Sequence, residues 1–390
     1  MNNLALKLEP DYESIQQAIE FGRSNIMEAI KDDYTALGLV GESYNKILAY
    51  TSAISRKMDS PLNLLMLSSS GAGKSALIDK TVKLTPPEDV IRTSSISNKA
   101  LFYMESLKDK LLVLEEAAGM NDTYAIRTLI SEGYLSLETV SGGKLKSTRV
   151  EGGCSVFQST TNPEINAETK SRFFTLGVDE SRDQTRNILA SQRKAYTLEG
   201  LIGNLEEQNI IHKHHTFQRM LKPYAVVNPF AEYLFYEDDR LQARRDQPKL
   251  LNLCRAVAFL NQLQKNVKSY QNINYIEASK DDINIAVELA SEIIGLSLDD
   301  LSIPSRDLLE QLNEMLPKGK ERHNSSFTRT DIMNYTGWSS TRLHIHLNQL
   351  LKTELVLKLS GRKNSLQHYR LLYDGQGKDG KRFMIGLNLG

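Results

Sequence analysis

The sequence predicts an α/β protein in which helical regions flank a parallel sheet. Short apolar runs of the kind that form buried strands, such as Leu62–Leu67 and Leu111–Leu114, stand between stretches whose apolar residues recur every three or four positions. Strands that alternate with helices are typical of a parallel sheet with helical crossovers. A chain of 390 residues has room for two or three domains, and we expect boundaries that give the regions 1–60, 61–190, 191–303 and 304–390.

The regions outside the sheet show helical periodicity. Residues 11–57 predict helices with a break near Gly38–Gly41, and further helices are predicted over 183–215, 250–267 and 281–294. We also expect a helix over 98–108, and a linker over 304–319 that leads to the last module.

The charge of the chain is balanced overall but unevenly distributed. Lys plus Arg and Asp plus Glu each number 48, whereas residues 320–390 hold 12 Lys and Arg against 5 Asp and Glu. This asymmetry suggests a basic C-terminal module that binds an anionic partner, although a solvated basic face would show the same excess.

The composition also indicates the cellular compartment of the protein. The two cysteines are predicted to be buried thiols of a reducing compartment and are too few for a four-cysteine zinc site. No apolar run approaches 18 residues, and the first residues lack the pattern of a signal peptide. We therefore expect a cytoplasmic protein with no membrane partner.

A phosphate-binding loop is predicted directly after the first strand. The small residues Ser68–Gly73 follow Leu62–Leu67, and Lys74 and Ser75 precede the start of a helix. Such a loop cradles phosphates with backbone N–H groups, while its Lys reaches the β- and γ-phosphates and its hydroxyl ligates Mg²⁺. The sequence departs from the usual pattern because Ser68 replaces the first Gly, and a simple Gly/Ser turn is the alternative. The expected cofactors are ATP and Mg²⁺, and the candidate nucleotide-binding residues are Ser70, Gly71, Ala72, Gly73, Lys74, Ser75 and Ala76.

A second strand ends in two carboxylates. The apolar run Leu111–Leu114 is followed by Glu115 and Glu116, and parallel strands bring such residues to the ligand-binding edge of the sheet. Glu115 is the candidate metal ligand, and Glu116 is the candidate for orienting or deprotonating the attacking water. An exposed acidic strand end is the alternative interpretation.

A hairpin and two more strands follow. Residues 134–150 alternate around a Gly-Gly turn and carry Lys144, Lys146 and Arg149, which predicts either a nucleic-acid finger or an ordinary solvated hairpin. The strand predicted over 154–160 leads to Asn162, a candidate for sensing the γ-phosphate. Arg172 precedes a fifth strand.

The C-terminal module is predicted to be a winged helix. A helix beginning near Phe327, a turn at 335–339, a second helix over 340–352 and two strands joined by a basic turn follow one another. The second helix of this fold enters the DNA major groove and the wing contacts the backbone, although some such modules dock proteins instead. The candidate DNA contacts are Arg342, His344, Lys352, Arg362 and Lys363.

The order of these motifs resembles the AAA+ ATPases. The similarity is greatest to minichromosome-maintenance-type replicative helicases and to the helicase-like half of primase-helicases from phages and mobile elements, and it covers roughly residues 40–300. Gly71, Gly73, Lys74 and Ser75 match the Walker A loop. Glu115 and Glu116 match Walker B, with Glu in place of the usual Asp.

The resemblance also implies roles for later residues. Asn162 matches sensor 1, and Arg172 matches an arginine finger that acts on the γ-phosphate of a neighbouring subunit. Either Arg244 or Arg245 would be sensor 2 of a helical lid. The hairpin 134–150 stands where these helicases insert a hairpin that contacts DNA in a central pore.

The fold and function implied are those of an AAA+ core with a helical lid, a helical N-terminal region and a winged helix. The chain would be an ATP-dependent DNA helicase that forms a homo-oligomeric ring, for example a hexamer, and works with a separate primase or replication initiator. Two alternatives are an ATP-switched matchmaker that binds DNA without unwinding it and a DNA-binding adaptor that does not hydrolyse ATP.

Overall fold

A computed structural model describes thirteen stretches of the chain. They are 12–67, 74–93, 98–115, 124–141, 144–160, 167–179, 182–235, 243–296, 303–317, 325–353, 355–359, 367–373 and 386–387. The described residues form two compact units. The first unit takes residues up to Leu234, with Arg245–Ala290 and Leu387, and the second takes Phe235, 243–244 and the residues from Ser291 to Gly386.

The first unit opens with three helices, α1 (Tyr12–Arg23), α2 (Ile26–Ala36) and α3 (Ser43–Ile54). Nearly all of α3 is buried, from Asn45 to Ile54. The break between α2 and α3 coincides with the expected one, and Gly38 and Gly41 both adopt positive φ there, a conformation that favours glycine.

The core of the first unit is a five-stranded parallel sheet. Its strands are β1 (Leu64–Leu67), β2 (Val90–Thr93), β3 (Leu111–Leu114), β6 (Ser155–Thr160) and β7 (Phe174–Leu176), in the order β2-β3-β6-β1-β7. Strand β6 therefore lies between β1 and β3, with Leu67 opposite Thr160 and Leu114 opposite Gln158. All residues of β3 and β6 are buried, as expected for inner strands covered on both faces.

Helices and one hairpin connect these strands. They are α4 (Lys74–Leu84), α5 (Asn98–Leu101), α6 (Tyr124–Glu132), the antiparallel pair β4 (Tyr134–Ser141) and β5 (Lys144–Glu151), and α7 (Ala167–Lys170). Gly133 ends α6 with φ of 71°. Helix α5 is shorter than the helix expected over 98–108, because Leu101 and Leu107 both enter the core beside β3, and this burial overrides local helix propensity.

The rest of the first unit is mostly helical. It contains α8 (Arg182–Lys194), α9 (Leu198–Met220), β8 (Ala225–Val227), most of α10 (Ala243–Leu260), β10 (Lys268–Tyr270), β11 (Ile273–Glu277) and most of α11 (Lys280–Leu296). Strands β8, β10 and β11 form a small sheet. The single helical stretch expected over 183–215 is two helices, because Thr197 caps a new helix by accepting a hydrogen bond from the Gly200 amide.

The second unit contains three helices and a three-stranded sheet. Its elements are α12 (Ile303–Met315), β12 (Phe327–Thr328), α13 (Arg329–Thr336), α14 (Ser340–Lys352), β13 (Val356–Lys358) and β14 (His368–Leu371), with sheet order β12-β14-β13. The two short strands β9 (Leu234–Phe235) and β15 (Gly386–Leu387) complete the described strands.

Two expectations for the second unit are corrected. The stretch 304–319 is not simply a linker, because α12 buries Leu308, Leu309 and Leu312 in the core of the unit. The helix expected to begin near Phe327 begins at Arg329, since Thr328 and Asp331 form a capping box. Phe327 instead pairs with Tyr369 as part of a third strand.

Among the described residues, no helix is long and apolar enough to span a membrane.

Candidate functional site

The amino end of α4 lies at the edge of the sheet where the phosphate-binding loop was predicted. Strand β1 ends at Leu67 and α4 begins at Lys74, so the six intervening residues join a strand end to a helix start. Ser75 and Ala76 in the first turn of α4 are exposed. Residues Ser70 to Gly73 and the side chain of Lys74 lie outside the described part of the chain.

Three strands that precede predicted site residues are neighbours in the sheet. Strands β1, β6 and β3 run parallel in that order, and they lead to the phosphate loop, Asn162 and the acidic pair respectively. Parallel strands present their carboxyl ends at one edge, where ligands of such sheets bind. The topology thus gathers these segments at one edge, although Asn162 and Glu116 themselves fall outside the described residues.

Glu115 is held by an arginine that the sequence did not point to. The Arg92 side chain on β2 donates a hydrogen bond from Nε to Oε1 of Glu115 over 2.6 Å, and its Nη2 contacts both Glu115 and Asp79 of α4. Burial lowers the pKa of Arg92, but hydrogen bonds to Glu115 and Asp79 outweigh burial and raise it. The feature of the sequence that could have indicated this contact is the position of an arginine inside a short apolar strand.

The donor set fits a phosphate with a divalent cation. The first turn of α4 holds no acidic residue that would compete with phosphate for the amino end of the helix. Ser75 lies in this turn and is exposed. Helix amino termini favour anions, and hydroxyl and carboxylate oxygens suit Mg²⁺. Within the described residues, no cluster of three or more His, Cys, Asp or Glu forms a separate metal site.

Arg172 is engaged within its own chain. Its Nε donates to Ser131 Oγ over 2.8 Å, its Nη1 donates to the Glu168 carbonyl over 2.6 Å, and its Nη2 lies 3.3 Å from Glu168 Oε1. Glu168 also pairs with Arg127 of α6. The side chain of Arg172 is 23% exposed, so its guanidinium reaches the surface through this cluster.

The two candidate sensor arginines differ in their surroundings. Both lie inside α10, which begins at Ala243, rather than before a helix as expected. Arg245 Nη1 donates to Ser171 Oγ over 2.9 Å, which places it beside the residue that precedes Arg172. Arg244 is exposed and belongs to the second unit.

The expected DNA contacts on the hairpin are partly described. Lys144 and Lys146 belong to β5, opposite Ser141 and Thr139, but their side chains lie outside the described set. Arg149 stacks on the Tyr134 ring at 4.1 Å from its centroid and stays exposed. The hairpin tip also exposes Val140 and Leu145.

In the second unit, α14 carries the predicted contacts. Arg342 stacks on Trp338, 3.8 Å from the ring centroid, and His344 accepts a hydrogen bond at Nδ1 from Arg329 Nη2 over 2.7 Å. Lys352 lies in the last turn of α14, with its side chain outside the described residues. Arg362 and Lys363 also fall outside them.

A buried polar network ties the phosphate-loop helix to the N-terminal helices. His214 of α9 lies between Asp33 Oδ2, at 2.9 Å, and the Tyr50 hydroxyl, at 2.6 Å. Burial lowers the pKa of His214, although the Asp33 hydrogen bond opposes this, so the ring is neutral and Tyr50 donates to it. Tyr34 bonds Thr81 of α4 over 2.7 Å. His214 is thus part of the packing that connects α9 to the N-terminal helices and α4.

Comparison with known families supports the interpretation of this edge of the sheet. Residues 11–222 match the family described as the MTBMA_p00010 P-loop domain, which spans the N-terminal helices, the whole parallel sheet and α9. No curated protein matches the chain.

Proposed function

The chain belongs to the MTBMA_p00010 P-loop domain family, and from this premise we propose that it is an ATP-hydrolysing motor of the AAA+ type that acts on DNA. In this proposal it forms a homo-oligomeric ring, hydrolyses ATP at subunit interfaces and translocates on DNA as a helicase. Its task would be the replication of a phage or mobile element, together with a separate primase or initiator.

One observation carries the proposal: strand β6 joins the basic hairpin to the nucleotide edge of the sheet. The hairpin β4–β5 ends at Glu151, four residues before β6 begins at Ser155, and β6 ends at Thr160 two residues before Asn162. Six strand residues span about 20 Å, and all six are buried. A DNA contact on the hairpin and a γ-phosphate contact at Asn162 would therefore lie at opposite ends of one rigid strand.

The residues at the nucleotide edge would divide the work of phosphoryl transfer. ATP supplies the phosphoryl group, and Mg²⁺ neutralises charge on its phosphates when bound. Lys74 and the amides of Gly71–Gly73 would hold the phosphates, while Ser75 and Glu115 would hold the metal. Glu116 would accept the proton of the attacking water, and Asn162 would orient that water.

Arg172 supports a subunit interface because its guanidinium reaches the surface near Arg245. An arginine finger must leave its intramolecular partners to touch a neighbour's nucleotide. The partners of Arg172 are one hydroxyl and one partly exposed glutamate, and exposed ion pairs of this kind contribute only about 0–1 kcal/mol. We assign the sensor 2 role to Arg245, whose contact with Ser171 holds it beside the finger.

The second unit supports a winged-helix assignment. Helices α13 and α14 are joined through Gly337, which adopts φ of 68°, and they pack with α12 on a sheet in which β13 and β14 are antiparallel neighbours. The segment between β13 and β14 contains Arg362 and Lys363 and would be the wing. The exposed face of α14, with His344 near Arg329, would enter the major groove.

The experiment that tests the proposal is ATP hydrolysis with and without DNA. We expect Mg²⁺-dependent hydrolysis that DNA stimulates. Lys74→Ala should weaken both binding and turnover, whereas Glu116→Gln should bind ATP normally and not hydrolyse it, because the shape is kept and the base is removed. Hydrolysis without DNA stimulation or unwinding would favour the matchmaker, and binding without hydrolysis in the unmodified chain would favour the adaptor.

A further inference from the structure

The consecutive helices α8 and α9 expose apolar side chains that no described residue covers. Of the thirteen residues of α8, only Gln184 is buried, and no described side chain between Leu198 and Asn209 is buried. Tyr196 is 95% exposed, and Leu198 and Leu205 are each 72% exposed. About two dozen helical residues with this little burial are only marginally stable in water, and large exposed apolar patches mark interaction sites.

The exposed apolar residues of α9 form one stripe. Leu198, Leu201, Ile202 and Leu205 recur at spacings of three and four, which places them on one face of the helix.

Charged residues flank the stripe with opposite signs on the two helices. On α8, Arg186 and Arg193 lie three positions before and four after Leu189, and all three side chains are exposed. On α9, Glu199 and Glu206 lie three positions before and four after Ile202, and all three are exposed. The same arrangement of charge, apolar residue and charge therefore occurs twice with reversed sign.

We propose that α8 and α9 together form a two-fold docking surface for a second copy of this chain. In a two-fold contact each copy offers the same patch, so α8 of one copy faces α9 of the other. Each stripe would then be covered by α8 of the other copy around Leu189, while Arg186 and Arg193 would face Glu206 and Glu199 of the other copy. The glutamates of α9 make nucleic acid and anionic membranes poor occupants of the same surface.

The intramolecular ion pairs of α8 and α9 do not block this contact. Arg186 pairs with Asp183 at 2.7 Å and Lys194 pairs with Glu199 at 2.9 Å, but all four side chains are at least 66% exposed. Pairs this exposed contribute little and can be exchanged for contacts across an interface. The contact uses neither the phosphate loop nor Arg172, so it is independent of the proposed ATP hydrolysis.

The test is sedimentation of the full chain without nucleotide across a wide range of protein concentration. We expect a monomer–dimer equilibrium. Leu201→Ser combined with Leu205→Ser should weaken the dimer by about tenfold or more, as truncation of buried interface residues does. The matched control, Tyr270→Ser combined with Ile273→Ser, removes equally exposed apolar residues from the β10–β11 turn and should dimerise like the parent chain.

Charge-reversal variants test whether a second copy of this chain covers the surface. Arg186→Glu with Arg193→Glu should weaken the dimer, and so should Glu199→Arg with Glu206→Arg, because each homodimer then opposes like charges. A mixture of the two variants should recover dimerisation, since both contacts of the mixed dimer regain opposite charges. Unchanged thermal unfolding would show that the variants are folded.

Three results would overturn the proposal. A parent chain that stays monomeric at all concentrations would assign the surface to a different protein. A stripe variant that dimerises like the parent would place the dimer contact elsewhere. Failure of the mixed charge variants to recover dimerisation would rule out α8 facing α9.

Discussion

The guanidinium of Arg92 is bonded to the carboxylate of Glu115, with 2.6 Å between Nε and Oε1. Arg92 also contacts Asp79 on the helix that follows the phosphate loop. A permanent positive charge therefore neutralises the carboxylate that is proposed to hold Mg²⁺, and it connects the acidic strand to α4.

Arg92→Gln should let the chain hydrolyse ATP at lower Mg²⁺ concentrations. Arg92 and Mg²⁺ compete for the same carboxylate, so removing the arginine should lower the Mg²⁺ concentration that gives half-maximal ATP hydrolysis. The free energy that an exposed ion pair contributes predicts a decrease of about two- to fivefold in this Mg²⁺ concentration. Arg219→Gln breaks a comparable surface pair with Glu88 and should leave the Mg²⁺ titration unchanged. An identical titration for Arg92→Gln and the parent would show that Glu115 does not bind the metal.

Arg172→Ala should abolish hydrolysis while nucleotide binding persists. Arginine fingers contribute on the order of 10³ in rate. Mixing Arg172→Ala with Lys74→Ala subunits should restore some activity, because some interfaces then combine an intact finger with an intact loop. Arg127→Gln, which alters the other cation paired with Glu168, is the control and should hydrolyse ATP at close to the parent rate. Absence of recovery in oligomers shown to be mixed would contradict action between subunits.

Neutralising the two basic elements should give different defects. Arg362→Ala with Lys363→Ala should weaken duplex binding and lower its salt slope by about one unit for each phosphate that is no longer neutralised, without changing basal hydrolysis. Lys144→Ala with Lys146→Ala should leave duplex affinity largely intact and remove DNA stimulation of hydrolysis. Salt titrations of binding and DNA-stimulated rates measure both. Duplex binding by the wing variant that matches the parent would indicate a protein-docking module, and normal DNA stimulation in the hairpin variant would contradict the finger.

His214 should make the free energy of unfolding depend on pH. Its pKa is lowered by burial below the ordinary value of 6.5, so the unfolded chain takes up a proton more readily than the folded chain. The stability that the neutral ring contributes is present above pH 6.5 and is lost as the pH falls below it. Asp33 stays ionised in this window because its own pKa is lowered: burial raises this pKa, but the hydrogen bonds and charge interactions with His214 and Lys213 together outweigh the burial.

His214→Gln should flatten this dependence. Glutamine can still bond Asp33 but does not titrate, so urea unfolding between about pH 7.5 and about pH 5 should lose less stability than in the parent. His212→Gln replaces an exposed histidine of the same helix and should retain the parent profile. A steep pH dependence that survives in His214→Gln would locate the titrating group elsewhere.

The sequence predicted the strands of the sheet well because each is a short apolar run. Strands β3 and β6 lie within one residue of their expected bounds. Helix bounds that depend on capping or tertiary burial were missed. Thr197 divides α8 from α9, and α12 occupies a stretch that looked like a linker because Pro304 stands at its start.

The contacts of the site could not be read from the sequence. The pairing of Arg92 with Glu115 depends on β2 lying beside β3, and residue spacing does not determine which strands are neighbours. The contacts of Arg172 with Ser131 and of Arg245 with Ser171 join segments about 40 and 70 residues apart. The order of motifs along the sequence identified Arg172 and Arg245 as candidates, whereas only the fold identified the residues that they contact.

Strand displacement on forked DNA tests the central claim most directly. The chain should separate the strands in the presence of ATP and Mg²⁺, and neither Lys74→Ala nor Glu116→Gln should do so under the same conditions. If the chain binds forked DNA and hydrolyses ATP but does not separate the strands, the helicase account is contradicted.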